Sequence, residues 1–310
     1  MCLKTSFPPL SFTPELVTMN TVNQPASCIL CKKVAPNVKW RQSPFEGRQC
    51  SCGILYTSPT PVDGQIDHSH DHHPDHFYAQ SSELKSAWLA ANCPPGKLLE
   101  VGCGFGAFLA EANKAGYSVE GLDMSSERCK HVRDKLGFQA WETSLEDNNL
   151  EKGAYDVVYH CDLLAHFPDP VNALHEMASL LKPDGVLCFE VGLLGNMSTI
   201  WYRLIGSIGL GHHLWLYDSN SLAKLLSIAN LEVVKQKRFG LAPSVLFGRA
   251  FSAVRFARRL IGLKKVKNER WYPRWQHFFR YRFGAFSPAI GPQTLFVVAK
   301  PNSVSLSTEP

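Results

Sequence analysis

The feature that most constrains the fold of this chain is a glycine-rich turn between an apolar run and a helical pattern. Residues 98–108 read LLEVGCGFGAF, with Gly102, Gly104 and Gly106 at alternate positions. Glycine permits a tight turn and lets a ligand approach the backbone closely, and the N-terminus of the following helix offers unpaired N–H donors. The turn therefore predicts a site for a small anionic ligand at the end of a strand.

Short β-rich runs alternate with helical patterns over residues 81–300, which indicates a parallel sheet covered by helices on both faces. The predicted strands are 97–101, 118–123, 139–142, 155–161, 185–191, 231–239 and 294–299. The predicted helices are 108–115, 125–135, 171–181 and 219–229. The fold class predicted from this alternation is α/β.

A carboxylate follows the turn at the distance expected of a nucleotide-type site. The second predicted strand ends in Asp123, about 20 residues beyond the glycines, where such sites hold ribose hydroxyls. Gly102, Gly104 and Ala107 also satisfy the dinucleotide fingerprint. These two features alone therefore leave the choice of cofactor open.

Further segments carry a resemblance that narrows this choice. Glu100 precedes the glycines, residues 155–170 read YDVVYHCDLLAHFPDP, and residues 180–187 read LLKPDGVL. In this order and spacing they resemble class I S-adenosylmethionine-dependent methyltransferases over roughly residues 98–299. The resemblance implies a Rossmann-like sheet of seven strands with helices on both faces, a final antiparallel strand, and S-adenosylmethionine as the cofactor.

The resemblance also implies roles for individual residues. Glu100, Gly102 and Gly104 would surround the aminocarboxylate end of the cofactor, and Asp123 would bind the ribose hydroxyls. The remaining implied cofactor-binding residues are Gly106 in the turn, Met124 against the adenine and Glu146 near the adenine edge. Each of three residues also has a purely structural explanation. Gly106 would allow close packing, Met124 would be a core residue, and Asp123 would be a helix cap.

Histidines and aromatic residues near the predicted carboxyl edge of the sheet are candidates for the chemistry. His166, in the loop after the fourth strand, is the candidate catalytic residue that would orient or deprotonate the acceptor. His213 and Tyr217, just before the helix 219–229, are candidate substrate residues. Loop packing and a hydrophobic corner are the alternative explanations.

Four cysteines have the spacing of a metal site. Cys28 and Cys31 form one close pair, and Cys50 and Cys52 form another after 18 residues. Two such pairs predict a structural zinc ion bound by four thiolates, with four unliganded thiols as the alternative. Similar N-terminal ribbons occur in methyltransferases that resemble sugar and ubiquinone-type O-methyltransferases.

Composition changes along the chain divide it into several segments. A leader at 1–24 precedes a zinc-ribbon-like module at 25–61, a linker rich in His and Asp at 62–80, the methyltransferase domain at 81–300 and a tail at 301–310. The start has no signal-peptide pattern and no apolar run reaches the length of a spanning helix, so a cytoplasmic location is expected.

An insertion at about 241–291 interrupts the methyltransferase domain. Its stretch 245–282 mixes arginine with aromatic residues, which suits a lid, an oligomer surface, a peripheral membrane contact or a nucleic-acid groove. The overall charge of only +5 disfavours nucleic acid. The sequence does not define the oligomeric state.

The favoured function is methyl transfer to a small-molecule acceptor, most readily O-methylation of a lipophilic phenol, a lipid or a sugar. A nicotinamide-dependent oxidoreductase, a nucleic-acid methyltransferase and a non-catalytic cofactor-binding protein remain the alternatives. They differ in whether the chain binds NAD, shows a steep salt dependence on nucleic acid, or holds the cofactor without turnover.

Overall fold

The computed structural model describes residues 26–61, 76–195, 197, 209–240 and 293–302. The predicted leader, most of the linker, the membrane-contact stretch 245–282 and the tail from residue 303 lie outside the described residues. No helix within the described ranges is long and apolar enough to cross a membrane.

The described residues form two sheets and five α-helices. The strands are β1 Asn37–Gln42, β2 Phe45–Gln49, β3 Leu55–Ser58, β4 Lys97–Val101, β5 Ser118–Asp123, β6 Gln139–Glu142, β7 Tyr155–Cys161, β8 Leu181–Leu193, β9 Trp215–Leu216, β10 Leu231–Gly240 and β11 Gln293–Pro301. The helices are α1 His76–Ala90, α2 Ala107–Lys114, α3 Ser126–His131, continued by a π-helical turn Val132–Leu136, α4 Pro170–Ser179 and α5 Ser219–Ile228.

The larger sheet has seven strands in the order β10-β11-β8-β7-β4-β5-β6. Strands β4 to β8 run parallel, whereas β11 pairs antiparallel with both β8 and β10. The predicted seven-stranded α/β sheet with an antiparallel last strand is therefore confirmed. The chain order β4, β5, β7 places the glycine turn, Asp123 and the loop before His166 at one edge, because the carboxyl ends of parallel strands meet there.

Helix α1 was not predicted from the sequence. It begins at His76, inside the predicted linker, and its buried face has helical spacing but is mostly polar, since Ser82, Lys85 and Ser86 are buried together with Leu89. The helix packs across α2 and the sheet, where the ring of Trp88 lies 5.1 Å from that of Phe296 in β11. Helix α1 therefore includes residues 76–80 of the predicted linker.

Strand β8 begins earlier than predicted. Its first residues, Leu181 to Gly185, include the Lys-Pro-Asp-Gly segment that the sequence places in a turn before the strand. The pairing is irregular there, since Tyr155 pairs with Leu181 but Val157 pairs with Val186. A Cβ atom at Gly185 would lie 2.9 Å from the carbonyl oxygen of Tyr155, so only glycine fits this bulge.

The ribbon predicted at 25–61 forms an antiparallel sheet in the order β1-β2-β3-β9. Its fourth strand comes from the segment before α5, where Trp215 pairs with Tyr56 and Leu216 with Leu55. Cys28 and Tyr56 belong to the same hydrophobic core as Trp215 and the α5 side chains. The ribbon and the methyltransferase domain thus share one core.

Candidate active site and metal centre

The glycine-rich turn joins β4 to α2 at the carboxyl edge of the sheet. Gly102, Gly104 and Gly106 have φ angles of 71°, 54° and 78°, a left-handed conformation that side chains other than glycine rarely adopt. The amides of Gly102 and Cys103 donate to the carbonyl oxygen of Leu122 in β5, at 2.7 and 3.1 Å. The turn is therefore held against the neighbouring strand.

The three glycines face different surroundings. A Cβ atom on Gly104 would meet no atom within 4 Å, so this position leaves room for a ligand. A Cβ atom on Gly102 would lie 3.0 Å from Leu163 Cδ2, and one on Gly106 would lie 2.7 Å from Leu136 Cδ1. These contacts favour the packing role for Gly106, while Gly104 has the geometry of a cofactor cradle.

Asp123 lies at the end of β5 with only 7% of its surface exposed. Its Oδ2 accepts a hydrogen bond from the amide of Gly104 at 2.9 Å, and its Oδ1 accepts one from the amide of Ser125 at 2.9 Å. A carboxylate offers about four lone-pair positions, so these two bonds leave capacity for ribose hydroxyls. The cap of α3 is Ser125 and not Asp123, so the helix-cap alternative does not describe this carboxylate.

Glu100 is a buried carboxylate beneath the turn, 4% exposed, and its Oε2 has no hydrogen-bond partner among the described residues. Burial raises its pKa well above the ordinary value, a shift that Lys85 opposes and Asp123 reinforces. A buried oxygen without a partner is costly, so this site fits a ligand that brings a donor, such as an ammonium group. The residues of the turn thus fit an amino-acid-like cofactor.

Two further residues implied as cofactor contacts are exposed to solvent. Met124 directly follows Asp123 and is 70% exposed, and Glu146 is exposed in the loop after β6. A large exposed apolar side chain beside the turn does not belong to the core, which removes the core alternative for Met124. The adenine contacts of Met124 and Glu146 stay predictions.

A buried ion pair beside the turn was missed by the sequence reasoning. Lys85 in α1 places its Nζ 3.1 Å from Glu190 Oε2 in β8 and 2.8 Å from Cys161 Sγ at the end of β7. Local sequence carries no signal for this cluster, because it forms only when α1 packs over the carboxyl ends of the strands.

The candidate catalytic residue and one candidate substrate residue lie together. His166 Nδ1 is 2.9 Å from the carbonyl oxygen of His212, and the rings of His166 and His213 have their centroids 4.9 Å apart. Because a carbonyl oxygen only accepts hydrogen bonds, His166 carries its proton on Nδ1 when the ring is neutral. Its Nε2 then holds the lone pair that a general base needs.

Tyr217, the other candidate substrate residue, is placed differently. Its side chain is fully buried, and its hydroxyl donates to the carbonyl oxygen of Leu164 at 3.2 Å. Burial also raises the pKa of this phenol. This burial favours the alternative of a packed hydrophobic corner for Tyr217, and its substrate role stays a prediction.

The four predicted metal ligands converge. The sulfur atoms of Cys28, Cys31, Cys50 and Cys52 all lie within 4.8 Å of one another, and Cys31 Sγ lies 3.5 Å from Cys50 Sγ. A zinc ion bonded to four sulfurs at about 2.3 Å places them about 3.8 Å apart, so the cluster matches a tetrahedral site. The single residue between Cys50 and Cys52 is compatible with this arrangement.

The thiols of this cluster differ in acidity. Burial raises the pKa of Cys28 to about 12. Burial also acts on Cys50, but the amide of Cys52 and hydrogen bonds from the neighbouring thiols outweigh it and lower its pKa to about 7. One sulfur of the four is therefore prepared to be a thiolate, the form that binds metal.

Comparisons with known proteins agree with this architecture. A family model described as a methyltransferase domain matches residues 70–236. The ubiquinone biosynthesis O-methyltransferase of Vibrio campbellii is 34% identical over 119 residues, covering 36% of this chain and 49% of that protein. The protein of the same name from Actinobacillus pleuropneumoniae is 37% identical over 104 residues, covering 30% and 44%. The chain thus spans about half the length of the curated relatives it matches.

Among solved structures, geranyl diphosphate C-methyltransferase from Streptomyces coelicolor superposes with a TM-score of 0.47 and 16% identity, covering 76% of this chain and 88% of that chain. This sequence identity is too low to assign site residues by comparison. The family model, by contrast, spans more than half of the chain and includes the glycine turn, Asp123 and His166. The chain therefore belongs to the methyltransferase-domain family, with the class I sheet order described above.

Proposed function

We propose that this protein transfers a methyl group from S-adenosylmethionine to a small-molecule acceptor. The observation that carries the proposal is the turn between β4 and α2, where open space at Gly104 lies beside Asp123 and above the unpartnered Oε2 of Glu100. Membership of the methyltransferase-domain family supports the same activity.

In this proposal, different residues of the site contact different parts of the cofactor. Glu100 accepts from the ammonium group, Gly102 and Gly104 surround the aminocarboxylate end, and Asp123 accepts from the ribose hydroxyls. Met124 and Glu146 contact the adenine, and Gly106 supports the turn from behind. When bound, S-adenosylmethionine supplies a methyl group on a positively charged sulfur.

We propose O-methylation of a lipophilic phenol as the reaction, with a lipid or sugar hydroxyl as the other acceptors. His166 removes the hydroxyl proton through Nε2, since its Nδ1–H is committed to the His212 carbonyl. Alignment of the acceptor with the sulfonium supplies much of the remaining acceleration, because methyl transfer is an in-line displacement. The names of the two relatives, ubiquinone biosynthesis O-methyltransferases, support an oxygen on a lipophilic ring.

We also propose that the four cysteines hold a structural zinc ion. Four sulfur ligands leave no open coordination position, so the metal would stabilise the ribbon and would not act on substrate. Zinc content near one equivalent per chain, lost in Cys50→Ser, is the expected result of metal analysis.

The basic and aromatic stretch 245–282 supports a peripheral membrane contact on a cytoplasmic protein, a proposal that rests on sequence alone. Flotation with vesicles containing anionic lipid tests it. Binding that disappears at high salt is expected, and equal binding to neutral vesicles would contradict the electrostatic part of the proposal.

The rival cofactor is a nicotinamide dinucleotide, because Gly102, Gly104 and Ala107 also satisfy that fingerprint. Calorimetric titration with S-adenosylhomocysteine and, separately, with NADH distinguishes the two. We expect S-adenosylhomocysteine to bind the wild type and NADH to show no binding. The opposite pattern would overturn the proposed function.

A matched pair of glycine variants localises the binding. Gly104→Ala places a methyl group in the open space beside Asp123, whereas Gly137→Ala places one in equally open space after α3. Both glycines have left-handed φ angles, 54° and 73°, so the backbone strain is similar. Loss of S-adenosylhomocysteine binding in the first variant alone is the expected result.

A further inference from the structure

The segment 209–217, which precedes α5, is fixed on one side to the loop that carries the proposed base. The amides of Leu214 and Trp215 donate to the carbonyl oxygen of Ala165 at 2.8 and 3.3 Å. His166 donates in turn to the carbonyl oxygen of His212 at 2.9 Å. Two main-chain bonds and one side-chain bond therefore hold the two loops together.

On its other side, the same segment is fixed to the ribbon by one buried residue. Thr57 in β3 is 3% exposed, and its amide donates to the carbonyl oxygen of Leu214 at 3.0 Å. Its hydroxyl donates to the carbonyl oxygen of His213 at 2.6 Å and accepts from the amide of Gly211 at 3.4 Å. A single side chain thus bonds to both neighbours of His212.

These contacts determine the orientation of a peptide group that matters for the base. The peptide group that carries the His212 carbonyl is held at its N–H, since the amide of His213 donates to the carbonyl oxygen of Gly209 at 2.8 Å. The Thr57 hydroxyl holds the groups on both sides of this peptide group, at Gly211 and at the His213 carbonyl, and so adds to this restraint. The His212 carbonyl is the acceptor that keeps the His166 proton on Nδ1. Without it, the imidazole would be released to adopt either tautomer.

The ribbon that carries Thr57 is itself anchored at the cysteine cluster. The amide of Cys50 donates to the carbonyl oxygen of Ile54 at 2.9 Å, immediately before β3 begins. Asp218, the cap of α5, lies so close to Gly53 that no side chain fits there. A continuous series of contacts therefore links the cysteine cluster, β3 and the segment 209–217.

We propose that Thr57 is a positioning residue for the acceptor site, which holds the His212 carbonyl so that His166 keeps its lone pair on Nε2. The ribbon is then a structural part of the acceptor site and not only an appended module. This inference rests on the function proposed above. It adds that a residue outside the methyltransferase sheet controls the state of the base.

The test is the tautomer of His166, read from the ring nitrogen signals of the full-length, zinc-loaded protein labelled with ¹⁵N-histidine. His166→Gln identifies the signals of this ring. Thr57→Val keeps the branched shape but removes the hydroxyl, and Thr57→Ala removes it without adding a methyl group. Thr57→Ser, which restores a hydroxyl, is the rescue variant.

Ser58→Ala is the matched control. Ser58 is the next residue of β3 and equally buried, but its hydroxyl accepts from the amide of Ala26 and does not touch the segment 209–217. A general loosening of the ribbon would therefore affect this variant as much as the Thr57 variants.

We expect the wild type, Thr57→Ser and Ser58→Ala to show the Nδ1–H form. In Thr57→Val and Thr57→Ala the tautomer ratio should move about fivefold toward Nε2–H, the change that loss of one ordinary hydrogen bond gives. An unchanged tautomer ratio in a folded Thr57→Val or Thr57→Ala variant would overturn the inference. An equal shift in Ser58→Ala would also overturn it, because the effect would then come from a general loosening of the ribbon. If the valine variant does not fold, the alanine variant decides.

Binding of S-adenosylhomocysteine, titrated on the same samples, separates this inference from the proposed function. Binding should be equal in all folded variants, because the glycine turn joins β4 to α2 and is bonded to β5, away from Thr57. No binding by the wild type would reject the proposed function, whatever the tautomer. Normal binding with an unchanged tautomer would reject the role of Thr57 alone.

Discussion

Glu100 and Asp123 are two carboxylates of the proposed cofactor site that differ in their hydrogen bonds. Asp123 accepts from two backbone amides, whereas one oxygen of Glu100 has no partner among the described residues. Both are almost fully buried. A cofactor with an ammonium group would therefore change the environment of Glu100 more than that of Asp123.

The first prediction for single residues is that cofactor binding releases a proton from Glu100. Burial raises the pKa of Glu100, and a neighbouring ammonium group would lower it again, so cofactor binding should release protons. Affinity for S-adenosylhomocysteine should then increase as the pH rises through the pKa of Glu100 in the free protein. Calorimetry in buffers of different ionisation enthalpy measures the release, and Glu100→Gln should abolish it. Equal release in that variant would contradict the role of Glu100.

The second prediction separates the two roles of Asp123. Asp123→Ala leaves the amides of Gly104 and Ser125 without their acceptor, which should cost about 1–3 kcal/mol of unfolding free energy. Asp123→Asn keeps one acceptor oxygen and should lose less stability, yet it removes the charge offered to the ribose. Denaturant unfolding and calorimetry on both variants provide the measurement. Wild-type affinity in the Asn variant would contradict ribose binding.

Residues that act through local geometry could be predicted, and residues that act through tertiary contacts could not. The spacing of Gly104 and of the four cysteines predicts their proposed roles, because a turn and a metal site are formed by residues close together in the sequence. Lys85 and Thr57 have no such pattern around them. Their roles depend on partners 76 and 156 residues away.

At the scale of the element, most strands and helices follow from the periodicity of the sequence. The bounds of β4, β5, β6 and β7 agree with those predicted. Strands β4 and β7 are buried apolar runs with clear limits, whereas β6 is an edge strand in which only Ala140 is buried. Helix α1 was missed because its polar residues Ser82, Lys85 and Ser86 are buried. The early start of β8 depends on a bulge against β7, which the sequence of β8 alone does not reveal.

A prediction at this scale concerns the junction between α2 and α3. A methyl group in Gly106→Ala would lie 2.7 Å from Leu136 Cδ1, in a left-handed backbone conformation. We expect a loss of unfolding free energy of about 2–4 kcal/mol from overpacking and strain together. Gly137→Ala has the strain without the contact and should lose only about 1 kcal/mol. Urea unfolding of the two variants measures the difference, and equal losses would show that packing does not act at Gly106.

At the scale of the whole molecule, the main departure from the sequence prediction is the relation between the ribbon and the larger domain. Two modules joined by a linker were expected, but β9 completes the ribbon sheet from within the methyltransferase domain. The shared core joins Tyr56 to Trp215 and Leu225 of α5. This sharing could not be predicted, because a strand of two residues has no periodicity to recognise.

The shared core predicts that removal of the metal destabilises the large sheet as well as the ribbon. If the four thiolates hold zinc, its binding free energy stabilises β3, and through β9 and α5 it also stabilises the large sheet. Zinc release and loss of secondary structure on heating should therefore coincide, as one cooperative transition. A chelator should lower the melting temperature of that whole transition, and Cys93→Ala, outside the cluster, should leave zinc content unchanged. Zinc release well below the melting of the sheet would mean that the ribbon unfolds independently, in which case it could not hold the segment 209–217 in place.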